Sequence, residues 1–174
     1  FGQGQLEAAS PDGPFRICAP HIILATGAHD RPVALPGWTL PGVMTVGGAQ
    51  VLLKGQRTLP QGRVLLAGTG PLLLVVAAQY ARAGADIVAV AESASSAALL
   101  SRLPALLGAP GLMLRGASYR FSLGLRSVPW HARTVVVRIE GRTSVEAVVL
   151  ATLDPHGQVR LGSERRVACD MVLL

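Results

Sequence analysis

Between Arg63 and Glu92 the hydrophobic pattern changes period twice. Val64 to Ala67 is an unbroken apolar run of buried-strand length, cut off by Gly68-Thr69-Gly70. From Pro71 to Ala83 apolar residues occupy nearly every face of a helix, as expected of one sandwiched against a sheet. Pro71 suits the first helical position, where its missing N–H costs nothing, and Gly84 is a natural C-terminal stop. Asp86 to Ala91 is apolar again over a strand's length and ends on Glu92. The pattern predicts strand, glycine turn, helix and strand, the half-unit of a doubly wound nucleotide-binding fold.

Similar signals continue along the chain. Leu6 to Ala9 and Phe15 to Ala19 predict a hairpin around Pro11-Asp12-Gly13-Pro14, and His21 to Ala25 a compact strand running into Thr26-Gly27. Arg31 to Gly42 is an irregular crossing that contains Leu-Pro-Gly twice, with Trp38 as its anchor. Thr45 to Lys54 is expected to be helical despite Gly47 and Gly48, and Ser95 to Leu107 helical with a possible kink at Pro104. Leu112 to Arg115 is expected as the third parallel strand. Thr134 to Glu140 pairs with Ser144 to Thr152 across Gly141-Arg142-Thr143, Gln158 to Leu161 adds a further strand, and Arg166 to Leu174 returns to the main sheet. The expected class is α/β, a Rossmann-like three-layer NAD(P)-binding domain with a parallel sheet and a small antiparallel meander. Residues 1–57 would be the tail of another domain segment and the crossing; residues 58–174 would be the nucleotide domain, with its meander at 134–161.

The glycine turn carries the chemistry. Free N–H groups and the dipole at a helix start make a pyrophosphate site, and glycine lets the backbone come close to it. Gly68 makes the tight turn, Thr69 links it to Gly70, Gly70 leaves room for the phosphates, and Pro71 opens the helix. Glu92, about two dozen residues after Gly68, sits where a carboxylate accepts hydrogen bonds from a ribose. No Lys or Arg lies between Glu92 and Ala98, so NAD is favoured over NADP, with another adenine nucleotide possible. The third fingerprint glycine is replaced by Leu73. That leaves open a second reading, a degenerate Rossmann-like module that holds no nucleotide and docks a partner subunit.

Composition narrows the classes. Of 174 residues 50% are hydrophobic, ample for a core, and the formal charge of +6 comes almost wholly from arginine, Lys54 being the only lysine. The arginines are scattered with few aromatics between them, so no nucleic-acid module is expected. No apolar run approaches a membrane span and nothing resembles a signal peptide, which gives a cytoplasmic expectation. Cys18 and Cys169 form no CxxC pair and no metal cluster, and both are expected as buried, reduced thiols. His29 and Asp30 lack a nearby nucleophile, His131 beside Trp130 reads as a loop pair, and His156 sits in a turn; no catalytic residue is assigned. Ser93, Ser95 and Ser96 are helix-cap candidates. Phe1 at the start and the apolar run Met171 to Leu174 at the end give the expectation of a piece of a longer chain.

With Leu24-Ala25-Thr26-Gly27, Arg31-Pro32, Leu35-Pro36-Gly37 and the turn Gly68 to Pro71, the sequence resembles the pyridine nucleotide–disulfide oxidoreductases, flavoproteins with two dinucleotide domains. Ala25 to Gln50 looks most like the FAD-carrying subunits of hydrogen cyanide synthase, opine oxidase and heteromeric amine dehydrogenases. The resemblance implies that Thr26, Gly27 and Arg31 lie near the flavin nucleotide of the full-length parent. It implies oxidation of an amine, amino acid or opine by an FAD-dependent subunit, with partners in the rest of that polypeptide and in a second oxidoreductase subunit. The family's N-terminal GxGxxG has no counterpart here, so the fragment alone is not expected to hold FAD or to be active.

Overall fold

The computed structural model describes residues 4–27, 29–95 and 110–174. In chain order its elements are β1 (Gln5–Ser10), β2 (Gly13–Cys18), β3 (Val43–Met44), α1 (Val46–Gln56), β4 (Arg63–Gly68), α2 (Pro71–Arg82), β5 (Asp86–Glu92), α3 (Pro110–Leu125), β6 (Trp130–Ala132), β7 (Thr134–Glu140), β8 (Ala147–Thr152), β9 (Arg165–Ala168) and β10 (Met171–Leu173).

A parallel sheet of order β3-β10-β4-β5-β6 is the middle layer. From β3 to β6 the chain steps repeatedly in one direction, and right-handed crossovers then put the connecting helices on one face. The core on that face joins Val64 and Leu66 of β4 and Val90 of β5 to Ala49 of α1, Val76 and Tyr80 of α2 and Leu123 of α3. After β6 the strand order doubles back to β10, and this return crosses the opposite face as the antiparallel sheet β7-β8-β9. There Leu65, Ala67, Ala89 and Ala91 meet Ile139, Val148 and Leu150. Alternation along β4 thus feeds two cores, which is why its sequence reads as continuously apolar. On the outer side of β8, Val149 pairs with Arg138 and Arg166, whose guanidinium groups share Glu140 at 3.0 and 2.8 Å.

Local signals account for the helix ends. Ala85 N–H donates to Tyr80 O and Gly84 N–H to Ala81 O, a Schellman close to α2. Thr45 caps α1, its Oγ1 accepting from Gly48 N–H at 3.2 Å, and Asp30 Oδ2 accepts from the same N–H at 3.2 Å. A Cβ on Gly47 would collide with that carboxylate, so the glycine that lowers helix propensity admits the second cap. Hydrogen bonding from the Thr45 hydroxyl, and then from the Gly47 and Gly48 amides, holds the Asp30 carboxyl below its usual range. Each Leu-Pro-Gly of the crossing fastens to the antiparallel layer. Ile139 N–H donates to Pro36 O at 2.8 Å and Val145 N–H to Pro41 O at 2.9 Å. Gly37, at φ 86°, is pressed so closely on Ile139 O that a Cβ would overlap it.

Several expectations are corrected. Leu112 to Arg115 is not a strand; it lies inside α3, and the third parallel strand is β6, which also takes His131 and Trp130 out of a loop. His21 to Ala25 forms no strand, and Ile23 is 91% exposed. Gln158 to Leu161 contributes only a bridge from Val159 to Leu153, because the third meander strand is β9. Arg166 to Leu174 is two strands in two sheets, broken at Cys169-Asp170. Trp38 is 41% exposed; Leu35 and Leu40 do the anchoring. Cys18 is exposed, whereas Cys169 is buried. The expected helix at 95–107 lies outside the described residues apart from Ser95, as do the Ser96 cap and the Pro104 kink. The hairpin β1-β2, α1, α2, β4, β5, β7 and β8 form where the pattern places them, and the end of the chain rejoins the main sheet.

Candidate nucleotide-binding site

Parallel pairing brings the turn and the acid together. β4 and β5 run side by side in a register that makes Gly68 and Glu92 direct partners at their C-terminal ends. Ser93 N–H donates to Gly68 O at 3.0 Å and holds that mouth closed by one more bond. Gly70 is the N-cap of α2, with φ 88° and ψ −176°; it has no side chain to cap the helix, which Pro71 begins. A Cβ placed on Gly68 or Gly70 would meet nothing within 4 Å, so the space above the turn is open. Thr69 and Pro71 are exposed beside it, and Gly70 and Glu92 are half-buried. These groups suit a bound anion at the helix start and a hydroxyl-bearing group at the carboxylate. β4 stands next to β10, where the strand order reverses, the usual place for a ligand crevice in an open sheet.

Leu73, the residue in place of the third glycine, is 2% exposed and packs in the helix-side core with Val64, Leu66 and Val76. The substitution is therefore absorbed by packing between helix and sheet, and the two turn glycines keep their open approach.

Residues remote in sequence complete the mouth. Arg133 N–H donates to Ala94 O at 3.2 Å, its Nε donates to Leu153 O at 3.1 Å, and its φ of 52° is left-handed. An arginine thus stands beside the loop that local sequence leaves without a cation. A cavity of about 310 Å³ follows Glu92, lined by Ser93, Ser95, Arg133, Leu153, Asp154 and Pro155, among others. Asp154 shapes its rim by accepting from His156 N–H and Gln158 N–H at 2.8 and 2.9 Å. Nothing in the run Ala132-Arg133-Thr134 marks this role; only the turn between β6 and β7 brings it here. His131, two residues before Arg133, has its pKa lowered by burial and by the charge of Arg165.

The flavin-side positions stand apart from this mouth. Thr26, Gly27 and Arg31 are exposed along a segment without regular structure, and no described cavity includes them. By themselves they do not make a cradle for a flavin nucleotide. His29 is exposed and Asp30 is occupied with the α1 cap, so no acid–base pair assembles there. Among the described residues no cluster of His, Cys, Asp or Glu could hold a metal ion, and no helix is long and apolar enough to cross a membrane.

Known proteins share both the sequence and the layering. The sequence pattern of the family described as pyridine nucleotide-disulphide oxidoreductase matches residues 1–174. Hydrogen cyanide synthase subunit HcnB of Pseudomonas aeruginosa is 40% identical over 147 residues, covering 84% of this chain and 32% of that protein. An opine oxidase subunit of Agrobacterium tumefaciens is 39% identical over 141 residues, covering 72% and 28%. The chain therefore spans about a third of the length of these curated relatives. Among solved structures, thioredoxin reductase of T. acidophilum superposes with a TM-score of 0.62 at 15% identity over 99% of this chain and 48% of that one. Histamine dehydrogenase from Rhizobium sp. 4-9 gives 0.56 at 19% identity over 86% and 21%. Both structural likenesses concern the fold.

Proposed function

The chain belongs to the pyridine nucleotide-disulphide oxidoreductase family, and on that premise we propose that it is the nucleotide-binding part of an FAD-dependent oxidoreductase subunit that oxidises an amine, an amino acid or an opine. The observation that carries this reading is the pairing of Gly68 with Glu92 across the ends of β4 and β5, beneath an open α2 N-terminus. Gly68, Thr69, Gly70 and Pro71 receive the pyrophosphate, and Glu92 accepts from the adenosine ribose. The cavity bounded by Ser93, Arg133 and Asp154 takes the adenine side. Glu92 stands where it accepts directly from the ribose hydroxyls, and NAD is the proposed ligand ahead of NADP; Arg133, with its Nε donating to Leu153 O, lies on the cavity rim.

In this reading residues 1–57 are the end of a flavin-domain segment and its crossing, and residues 58–174 are the nucleotide domain. β3 and α1 then serve as the wall by which the first part is built into the second, since both pack on the parallel sheet. The hairpin β1-β2 supports the assignment. It pairs Leu6 with Ile17 and Ala8 with Phe15 on one face, yet Phe15 is 49% and Ile17 41% exposed. A two-stranded hairpin is marginal without a covered apolar face. The rest of the flavin domain is its proposed cover, together with the exposed run Ile22 to Leu24, and Thr26, Gly27 and Arg31 reach the flavin only in that setting. When bound, the flavin takes up a hydride from substrate; this chain's own residues bind and orient a nucleotide and supply no acid or base. HcnB and the opine oxidase relative are named as subunits, which supports a partner in a second oxidoreductase subunit. A cytoplasmic site of action is part of the same proposal.

Isothermal titration with NAD, NADP, ADP and ATP tests the binding assignment. NAD is expected to bind more tightly than NADP, and Glu92→Ala to weaken NAD by about 10- to 100-fold, the value of a charged hydrogen bond. Absence of binding by all four at millimolar concentration would overturn the assignment in favour of a docking module without nucleotide.

A further inference from the structure

A second oxidoreductase subunit requires a surface on which to dock. We propose that the outer face of α3 is that surface and that the matching surface of the partner is apolar with an acidic rim. This inference rests on the multi-subunit reading.

Among the described residues, the contacts that hold α3 to the molecule lie on one of its sides. Leu123 is 3% exposed and Tyr119 packs beside it in the helix-side core, while Arg82 lies over the Tyr119 ring at 5.2 Å and Arg120 over the Trp130 ring at 4.1 Å. At 3.6 residues per turn, Leu114, Phe121 and Leu125 fall on the opposite side in a single stripe. They are 72%, 68% and 72% exposed. Phe121 and Leu125 are one turn apart and Leu114 lies two turns before Phe121 on the same side, so the exposed apolar residues line one face of the helix.

The charge around that stripe selects the occupant. No Asp or Glu occurs between Glu92 and Glu140, and the exposed Arg115 is the α3 cation nearest the stripe, whereas Arg120 is engaged on the Trp130 ring. A second copy of the chain would bring arginine against arginine, so self-pairing through this face is opposed. An exposed phenylalanine between leucines with an arginine at its edge suits a protein interface. The relatives that match most of the chain are named as subunits, which favours protein over an anionic lipid surface.

The test uses the full-length protein purified with its partner oxidoreductase subunit, with assembly followed by light scattering and by dissociation constants. Phe121→Glu is expected to weaken assembly by about 30-fold or more, with an unchanged melting temperature because the side chain is exposed. Arg115→Glu and added salt are expected to weaken assembly less. Val51→Glu, at an equally exposed apolar residue on α1, is expected to leave assembly unchanged. Unaltered assembly of Phe121→Glu, or an equal loss in Val51→Glu, would overturn the docking face while leaving the multi-subunit reading intact. Failure of any partner subunit to co-purify would overturn both. A wild-type homodimer that Phe121→Glu makes monomeric, or phosphatidylserine-vesicle binding lost in that variant while assembly with the partner persists, would overturn it in favour of those occupants.

Discussion

At the scale of single residues, burial sorts groups that the sequence presents alike. Cys18 and Cys169 both adjoin apolar runs, but β2 leaves Cys18 exposed and the second core encloses Cys169, whose thiol burial pushes up to about 11. Thiolate is the reactive form, so Cys169 is protected both by its burial and by its raised pKa. Labelling with a disulfide reagent at pH 8 is expected to modify Cys18 in the native protein and Cys169 only after unfolding; native labelling of both would contradict the burial. Asp170 is a second case. It accepts from Arg63 N–H at 2.8 Å, Nε at 3.1 Å and Nη2 at 3.0 Å, joining the end of the chain to the start of β4. The Arg63 side chain first, and then its amide, lower the Asp170 carboxyl to about 2. A depressed folded pKa gives stability that is present above the unfolded value near 4 and is lost as pH falls through 2. Acid unfolding of Asp170→Asn is expected to begin from a lower stability at pH 6 and to be flatter between about pH 4 and 2 than the wild type.

At the scale of elements, the same substitution is read one way in a motif and another in a packed helix. Leu73 breaks the glycine fingerprint, yet in the structure it fills the core between α2 and the sheet. Leu73→Ala is expected to destabilise the protein by about 2–5 kcal/mol in chemical denaturation, as for other buried leucines. A cost below about 1 kcal/mol would show that the site is not close-packed. Gly37→Ala tests the crossing segment, because a left-handed φ and the contact with Ile139 O both exclude a side chain. A loss of about 2 kcal/mol or more is expected, seen as a melting temperature lower by about 4 °C or more. Elements with one dominant signal were legible: the run Arg63 to Glu92 declared β4, α2 and β5, and the β-branched run Thr134 to Val137 declared β7. α3 was not, because Gly111, Gly116 and Gly124 lower its propensity and apolar residues occupy both of its sides, one for the core and one for solvent. His21 to Ala25 misled in the opposite sense, since an apolar run becomes a strand only where a neighbouring strand accepts its backbone.

At the scale of the whole molecule, direction of chain travel explains the layering. The described helices share one face because the strands advance one way, and the antiparallel layer covers the other because the chain then returns to β10. The half of the candidate site contributed by adjacent elements, Gly68 to Pro71 and Glu92, follows from sequence because one crossover joins them. The remainder does not: Arg133 is set beside Ser93 by the pairing of β6 with β5, and Asp154 only by the return path. Whether this assembled mouth holds an adenine dinucleotide is decided by titrating NAD into the chain and into a Gly70→Val variant at matched folded concentration. Saturable binding to the former and at least about tenfold weaker binding to the latter are predicted, because a branched side chain at φ 88° disturbs the turn that must approach the phosphates. Equal binding by both, or no binding by either at millimolar NAD, would contradict it.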